Sequence, residues 1–509
     1  MTRTHRRVTT IEVSAGSVLP PTAQLLTEGG DARIALDSAL AINQYGCSAV
    51  PDPALLAFGS STASVISAHG FDAADRLRVR LQHAISSDTA EAIYARELER
   101  VRGDLRQLCG IVDADIVFAT SGTDLHLIAA QLVASDIAGD VEKPPLIVSI
   151  EATETGSQVP TALRGMHFGA GHHDSVEEGH VIEAAVPCEI ASIAVREANG
   201  EPRPAATVDA EVAAQVTRGV AEGRHVLLIL VDVSKSGLLA PSPSCAIALR
   251  QRYSGQLDVM VDACQFRLAA ATLHAYLDQG FMVALTGSKF MSGPTFSGAL
   301  LLPQVRVAQL RGRPLPAALH DYSTRAEWPA GWDVAELPEH ANFGLLLRWE
   351  AALAEMRAFC AVPESTVKRT LNAFADAVRQ RLDDDPLLEA ITVPPLNRHG
   401  LIDASGWDEC QTIFPFLLRR PDGCYLSLAE TTMIYRLLSQ GADGLRCQLG
   451  QPVSCGRRGG QPVAALRLCH SARLAVEAAF NAEAAAIVIA RAMRALDQVV
   501  MRVRVLPRS

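Results

Sequence analysis

Between about residues 114 and 287 the chain alternates two textures. Short runs are apolar along their whole length: ADIVFAT (114–120), PLIVSI (145–150), EIASIAV (189–195), HVLLILVDV (225–233), DVMVDA (258–263) and FMVAL (281–285). Between them lie stretches with apolar residues every three or four positions, among them LHLIAAQLVA, DAEVAAQVTRGVAEG, CAIALRQRY and LAAATLHAYLDQG. The first texture predicts strands buried on both faces and the second predicts amphipathic helices. Together they predict an α/β fold, a mainly parallel sheet sandwiched by helices. In such a sheet functional residues gather at the C-terminal ends of the strands.

The flanks differ. Residues 1–70 are irregular and turn-rich, with a hydroxyl-rich run, GSSTAS, at 59–64. From 71 to 108 a helical period takes over (AADRLRVRLQHAI, AEAIYARELERVRGDL). After about 345, helical segments (LLLRWEAALAEMRAFC, STVKRTLNAFADAVRQRLDDD) precede a strand-rich stretch (TIFPFLLRR, CYLSLAE). ALRLCHSARLAVEAAF and an Ala-rich helix close the chain. This predicts a large domain over 71–345, a smaller C-terminal α+β domain over 346–509, and an N-terminal segment, 1–70, that belongs to the smaller one.

The strand ends carry the chemistry. One strand delivers Asp262 and Gln265; the next, one strand–helix–strand unit on, delivers Thr286, Ser288 and Lys289. A lysine, an acid, an amide and two hydroxyls at adjacent strand ends suit a pyridoxal 5′-phosphate (PLP) site. Lys289 would be the Schiff-base lysine and Asp262 the partner of the ring nitrogen. Gln265 can donate to the ring 3′-oxygen. The chain has four lysines, Lys143, Lys235, Lys289 and Lys368; Lys235, after HVLLILVDV, is the only serious rival. Ser121-Gly122-Thr123, between a strand and a helix start, is the candidate phosphate cradle, because free N–H groups and the helix dipole favour an anion there. Thr286 and Ser288 could add hydroxyls to the same phosphate. For a substrate carboxylate the planar fork of arginine is preferred, and Arg446 and Arg467 are the candidates.

Composition excludes several classes. With 49% hydrophobic and 20% charged residues this is an ordinary globular chain, and a net charge of −10 argues against nucleic acid or an anionic membrane as partner. No apolar run approaches the ~20 residues that span a bilayer. The basic start, MTRTHRRVTTIEV, lacks the apolar core of a signal peptide, so a cytoplasmic location is expected. Eleven cysteines without CxxC spacing read as reduced, packed thiols. Gly171-His172-His173-Asp174 reads as a solvated loop, and no metal is assigned.

At this point the chain resembles the fold-type I PLP enzymes of the class V aminotransferase group, which includes cysteine desulfurases and selenocysteine lyases. The matching elements run in family order: TSGT (120–123), DVSKSG (232–237), VDACQ (261–265), TGSKFMSGP (286–294) and ALRLCHSA (465–472). The resemblance implies a fold-type I PLP transferase or lyase. It also implies a homodimer with active sites at the interface, the second subunit adding to the phosphate pocket. His340-Ala341-Asn342-Phe343-Gly344 is similar in position to the loop that does this.

The departures shape the functional expectation. Where desulfurases stack a histidine on the ring, this chain has EATETGS (151–157), so Thr155 or Ala152 takes that place. The family asparagine of the HVSN segment is replaced by Lys235, which puts a second lysine near the ring. The spacing of Arg446 and Arg467 resembles the selenocysteine-lyase-like branch. That branch has its nucleophilic cysteine at the position held here by Gln451, with Cys447 and Cys455 offset from it. The expected function is PLP-dependent chemistry on a small α-amino acid, by transamination or by elimination/replacement at Cβ or Cγ. A specialised biosynthetic pathway is the expected setting, with an insertion at 304–340 shaping the pocket. Desulfurase or selenocysteine-lyase-like sulfur transfer and a catalytically idle regulatory partner are the alternatives.

Overall fold

A computed structural model describes residues 18–136, 143–169, 178–403, 405–441 and 445–506; the Gly171–Asp174 segment and the basic first residues lie outside them. Among the described residues, thirteen strands form two sheets. In chain order these are β1 (Leu56–Phe58), β2 (Ala114–Ala119), β3 (Leu146–Ile150), β4 (Glu189–Ile193), β5 (Val226–Asp232), β6 (Leu239–Ala240) and β7 (Leu257–Ala263). They continue with β8 (Met282–Thr286), β9 (Gly298–Pro303), β10 (Leu388–Ala390), β11 (Ile413–Leu418), β12 (Cys447–Arg458) and β13 (Gln461–Cys469).

The large sheet has the order β2-β9-β8-β7-β5-β3-β4, with β6 hairpinned onto β5. β4, β3, β5, β7 and β8 are parallel, whereas β9 runs antiparallel to both β8 and β2. Two reversals point β2 the same way as β8. The C-terminal ends of β2, β8, β7, β5 and β3 therefore share one edge. Strands β2, β5, β7, β8 and β9 are buried at every position, which is why they read as continuous apolar runs. The expected α/β architecture is the observed one.

The second sheet, β1-β12-β13-β11-β10, belongs to the C-terminal part, and β1 from the N-terminal segment joins it in parallel with β12. The helix Phe343–Cys360, grouped by its texture with the smaller domain, packs instead with Ala68–Ala84 and Ala90–Cys109 in the larger core. CYLSLAE forms only isolated bridges at Tyr425 and Ser427 before a helix, Leu428–Gln440, begins. The reason is local: Ser427 and Glu430 form a reciprocal capping box that starts the helix. Among the described residues no helix is long and apolar enough to cross a membrane.

Two polar devices lock the parts together. Arg398 makes a two-pronged bond to the buried Asp232 at the end of β5 (2.7 and 2.8 Å), and Tyr276 donates to the same carboxylate at 2.7 Å. The 304–340 insertion carries a Trp328–Trp332 pair, and Trp332 donates to Asp115 near the start of β2. The tryptophan pair thus packs at the end of β2 opposite Ser121, whereas Tyr322 of the same insertion meets His167 and Phe168.

Candidate active site at the strand ends

The register fixes the layout. Asp262 on β7 sits opposite Val231 on β5 and Ala284 on β8. Lys235, a few residues beyond Val231, and Lys289, a few beyond Ala284, therefore flank Asp262 on either side. The chain leaves these strands under strain. Val233, Phe266, Ser292 and Phe296 hold φ values of 63°, 50°, 61° and 76°, a region that β-branched and aromatic residues avoid unless their surroundings enforce it.

Asp262 is buried, accepts from Cys264 N at 3.1 Å, and has His126 Nε2 3.3 Å from its Oδ2. Burial acts to raise its pKa, but His126, Lys289 and the Cys264 N–H outweigh it and hold the carboxyl well below the ordinary range. It stays an anion. His126 comes from the helix Gly122–Asp136, and its Nδ1 lies 2.7 Å from Gly122 O, a helical turn back. Sequence reasoning missed this histidine, although its spacing from Gly122 placed it on the same helix face as the turn.

Ser121, Gly122 and Thr123 do stand at a strand-to-helix turn. A Cβ on Gly122 would meet Cys264 Sγ at 2.9 Å, so the turn lies hard against the end of β7. Arg33, from the N-terminal segment, donates to Thr123 Oγ1 (3.1 Å) and Ser121 Oγ (3.3 Å). Asp31 holds its guanidinium and Phe296 faces it. Asp124 takes the Ser121 N–H and hydroxyl, and burial lifts its carboxyl to about 6. Arg33 was not among the expected residues; nothing local marks it. Thr286 is reassigned: its hydroxyl proton goes to Cys264 O at 2.6 Å, so it braces β7 against β8 and cannot donate to a phosphate. Ser288 is buried beside Lys289.

The run at 59–64 turns out to stitch the edge together. Ser64 donates to Ser288 O and Lys289 O (3.0 and 2.8 Å), and Thr62 Oγ1 accepts from Arg467 and Gln451 N (3.0 Å each). Gln265 Nε2 donates to Ser61 O at 2.9 Å, which leaves its Oε1 buried without a partner.

Glu154, after β3, is the hub on the far side. Its carboxylate accepts from Arg196, Ser234 and Ser236 at 2.6–2.7 Å. Against the effect of burial, these partners keep it below the usual carboxylate range. Its carbonyl accepts from Lys235 N at 2.9 Å, and Thr155 is buried next to it. The Lys235 ammonium is pushed down to about 8, first by burial and then by the charges of Arg467 and Lys289.

The two arginines separate. Arg467 is buried at this edge, donating to Lys235 O (3.0 Å), Thr62 Oγ1 and Gln451 O (2.6 Å), with Nε buried and unpartnered. Arg446 is not brought here. It is half-exposed beside β1 and pairs with Asp52, so it is not placed to hold a substrate at this site. The thiols are also elsewhere. Burial pushes Cys447 up to about 11 and raises Cys455, whose Sγ faces Gly200 O. Within the chain, Asn342 caps the helix Phe343–Cys360 and donates to Gly29 O, and Gly344 packs on the Leu25 and Glu28 carbonyls.

No family model matches the chain, and no curated sequence does. Solved structures do. They include the cystine C–S lyase C-DES in complex with its reaction product cysteine persulfide (14% identity, 86% of this chain and 97% of that one, TM-score 0.53). Mouse CSAD in apo form matches at 15% identity over 88% of this chain and 84% of that one, with a TM-score of 0.51. The apo cysteine desulfurase of Thermococcus onnurineus NA1 matches at 13% over 86% and 93%, also at 0.51. The fold is that of the fold-type I PLP-dependent enzymes.

Proposed function

We propose that this chain is a PLP-dependent enzyme acting on a small α-amino acid, by transamination or by elimination/replacement at Cβ or Cγ. The observation that carries the reading is the convergence of Lys289, Asp262 and the Ser121–Thr123 turn on one sheet edge. Buried polar atoms without partners also gather there: Gln265 Oε1 and Arg467 Nε. The similar structures support it, since they include a cystine C–S lyase and a cysteine desulfurase.

Bound there, PLP would act as an electron sink for charge developing at the substrate Cα. Lys289 is the amine that would hold it, and Asp262, fixed as an anion, would hold a proton on the ring nitrogen. Thr123, Ser288, the Gly122 N–H and Arg33 are the groups for its phosphate. Lys289, once free, would move the Cα proton. Arg467 would take the substrate carboxylate through Nε–H. Its other bonds already fix its plane, so the guanidinium is preorganised. Sulfur transfer through a protein cysteine is the less supported reading. Gln451 occupies the expected nucleophile position, and the nearby thiols are buried with raised pKa values.

The test is reconstitution with PLP, borohydride reduction and peptide mapping. Label on Lys289, together with spectral change on mixing with a panel of amino acids, is the expected result. Label on Lys235, or none, overturns the assignment.

A further inference from the structure

The edge carries more positive charge than its own acids balance. Glu154 is already saturated by Arg196, Ser234 and Ser236, and Asp262 is held by His126. Among the described residues no carboxylate stands within ion-pair distance of the Lys235 ammonium, the Lys289 ammonium or the Arg467 guanidinium. Lys289 is accounted for by the cofactor reading, and Arg467 by a substrate carboxylate. Lys235 is left over.

Its setting is built, not incidental. Lys235 N is tied to Glu154 O and Lys235 O to Arg467 Nη1, while Ser234 and Ser236 on either side are clamped by Glu154. Val233, two residues earlier, is forced to a positive φ. The backbone is fixed at both ends, and the side chain alone has no partner. The phosphate cradle cannot supply the missing anion, because it follows β2 and Asp262 on β7 lies between it and Lys235, just past the end of β5. A half-buried ammonium without a partner, beside the Arg467 guanidinium, is a site for an anion.

We propose that Lys235 Nζ, backed by Arg467, forms a subsite for a second anionic group of the substrate. The preferred amino acids are then those with an acidic side chain. This rests on the reading of the edge as a cofactor site, and the experiment separates the two.

The protein is loaded with PLP and fixed with borohydride, and label on Lys289 is scored first. Its absence sinks the cofactor reading by itself. The fixed protein is then titrated by calorimetry with succinate and with butyrate, which match in length and differ by one carboxylate. A charge-assisted bond of this kind predicts about ten-fold or tighter binding of succinate. Lys235→Gln and Lys235→Met should bring the two acids together, and Lys235→Arg should keep most of the preference. Because the second carboxylate favours the ammonium form, succinate binding near pH 8 should also take up protons, seen as a buffer-dependent heat in the parent. That parent measurement stands even if a variant fails to fold. Equal affinity for the two acids, a preference that survives in Lys235→Gln, or no proton uptake overturns the proposal.

Discussion

His126 links the Ser121-Gly122-Thr123 turn to Asp262, with Nδ1 2.7 Å from Gly122 O and Nε2 3.3 Å from Asp262 Oδ2. A ring nitrogen beside a carbonyl oxygen must carry hydrogen, so Nδ1 is the donor there. The other nitrogen then faces the carboxylate on which the ring-nitrogen role depends. The cradle and the acid are therefore positioned by one side chain.

His126→Ala should leave PLP bound through Lys289 but lower turnover by about 10- to 100-fold, the worth of one charge-assisted contact. The pH profile should move with it, because Asp262 loses the first of the partners that hold its pKa down. Steady-state kinetics across pH on the loaded variant is the measurement. Parent-like kinetics would make His126 a packing residue.

Removing Arg33 tests the cradle. Arg33→Ala should weaken PLP affinity by about 10- to 100-fold, and Arg33→Lys by less, since charge remains while the fork is lost. Equilibrium titration of the apo protein with PLP reads this directly. Unchanged affinity in both variants would remove Arg33 from the phosphate site.

Lys235 makes a pH-dependent prediction for stability. Its folded-state pKa, about 8, lies below the ordinary lysine value, so the folded chain binds this proton less well than the unfolded one. The cost is complete below about pH 8 and is relieved as pH rises towards the unfolded value. Lys235→Met should therefore raise the melting temperature at pH 7, by at most about 3 kcal/mol of stability, with the gain shrinking by pH 10. Melting curves of the apo protein at both pH values decide it.

The Asp232–Arg398 pair should be a stability residue pair and nothing more. Arg398→Met leaves a fully buried carboxylate with only Tyr276 donating to it, a loss of about 3–5 kcal/mol. Adding Asp232→Asn should recover part of that. A double-mutant cycle in urea is the check, and a coupling near zero would contradict the geometry.

Replacing Cys447 and Cys455 with serine should leave catalysis unchanged, because both thiols are buried and raised in pKa. Lost turnover in the double variant, with persulfide on either cysteine in the parent, would restore the sulfur-transfer reading.

The large sheet and its strand ends were legible because both depend on local pattern. A strand buried on both faces must be apolar throughout, and the residues just past it must lie at the sheet edge. That logic placed Asp262, Lys289, Lys235 and Ser121–Thr123 at strand ends, and the sheet order puts those ends on one edge. The reading was weakest where neighbours distant in sequence decide. Thr286 looked like a phosphate donor, yet Cys264 O, just past the adjacent strand, takes its proton. Arg446 and Arg467 were both carboxylate candidates in sequence, Arg467 the stronger because it lies between an apolar strand and a helix. Arg446 reaches Asp52 at the rim, and Arg467 turns into the interior, where Thr62 receives it.

The sequence by itself determined the alternation of strands and helices, the end of the sheet where chemistry belongs, and the residue types delivered there. Periodicity and short spacings suffice for that, because they fix where a side chain sits along its own element. Only the tertiary structure decided what surrounds those residues. The parallel pairing of β1 with β12 carries Ser60–Ser64 across the edge, and the path of the N-terminal segment brings Arg33 to Ser121 and Thr123. Such contacts join residues up to hundreds of positions apart, and they form because packing two sheets and their covering helices leaves most buried donors few reachable acceptors.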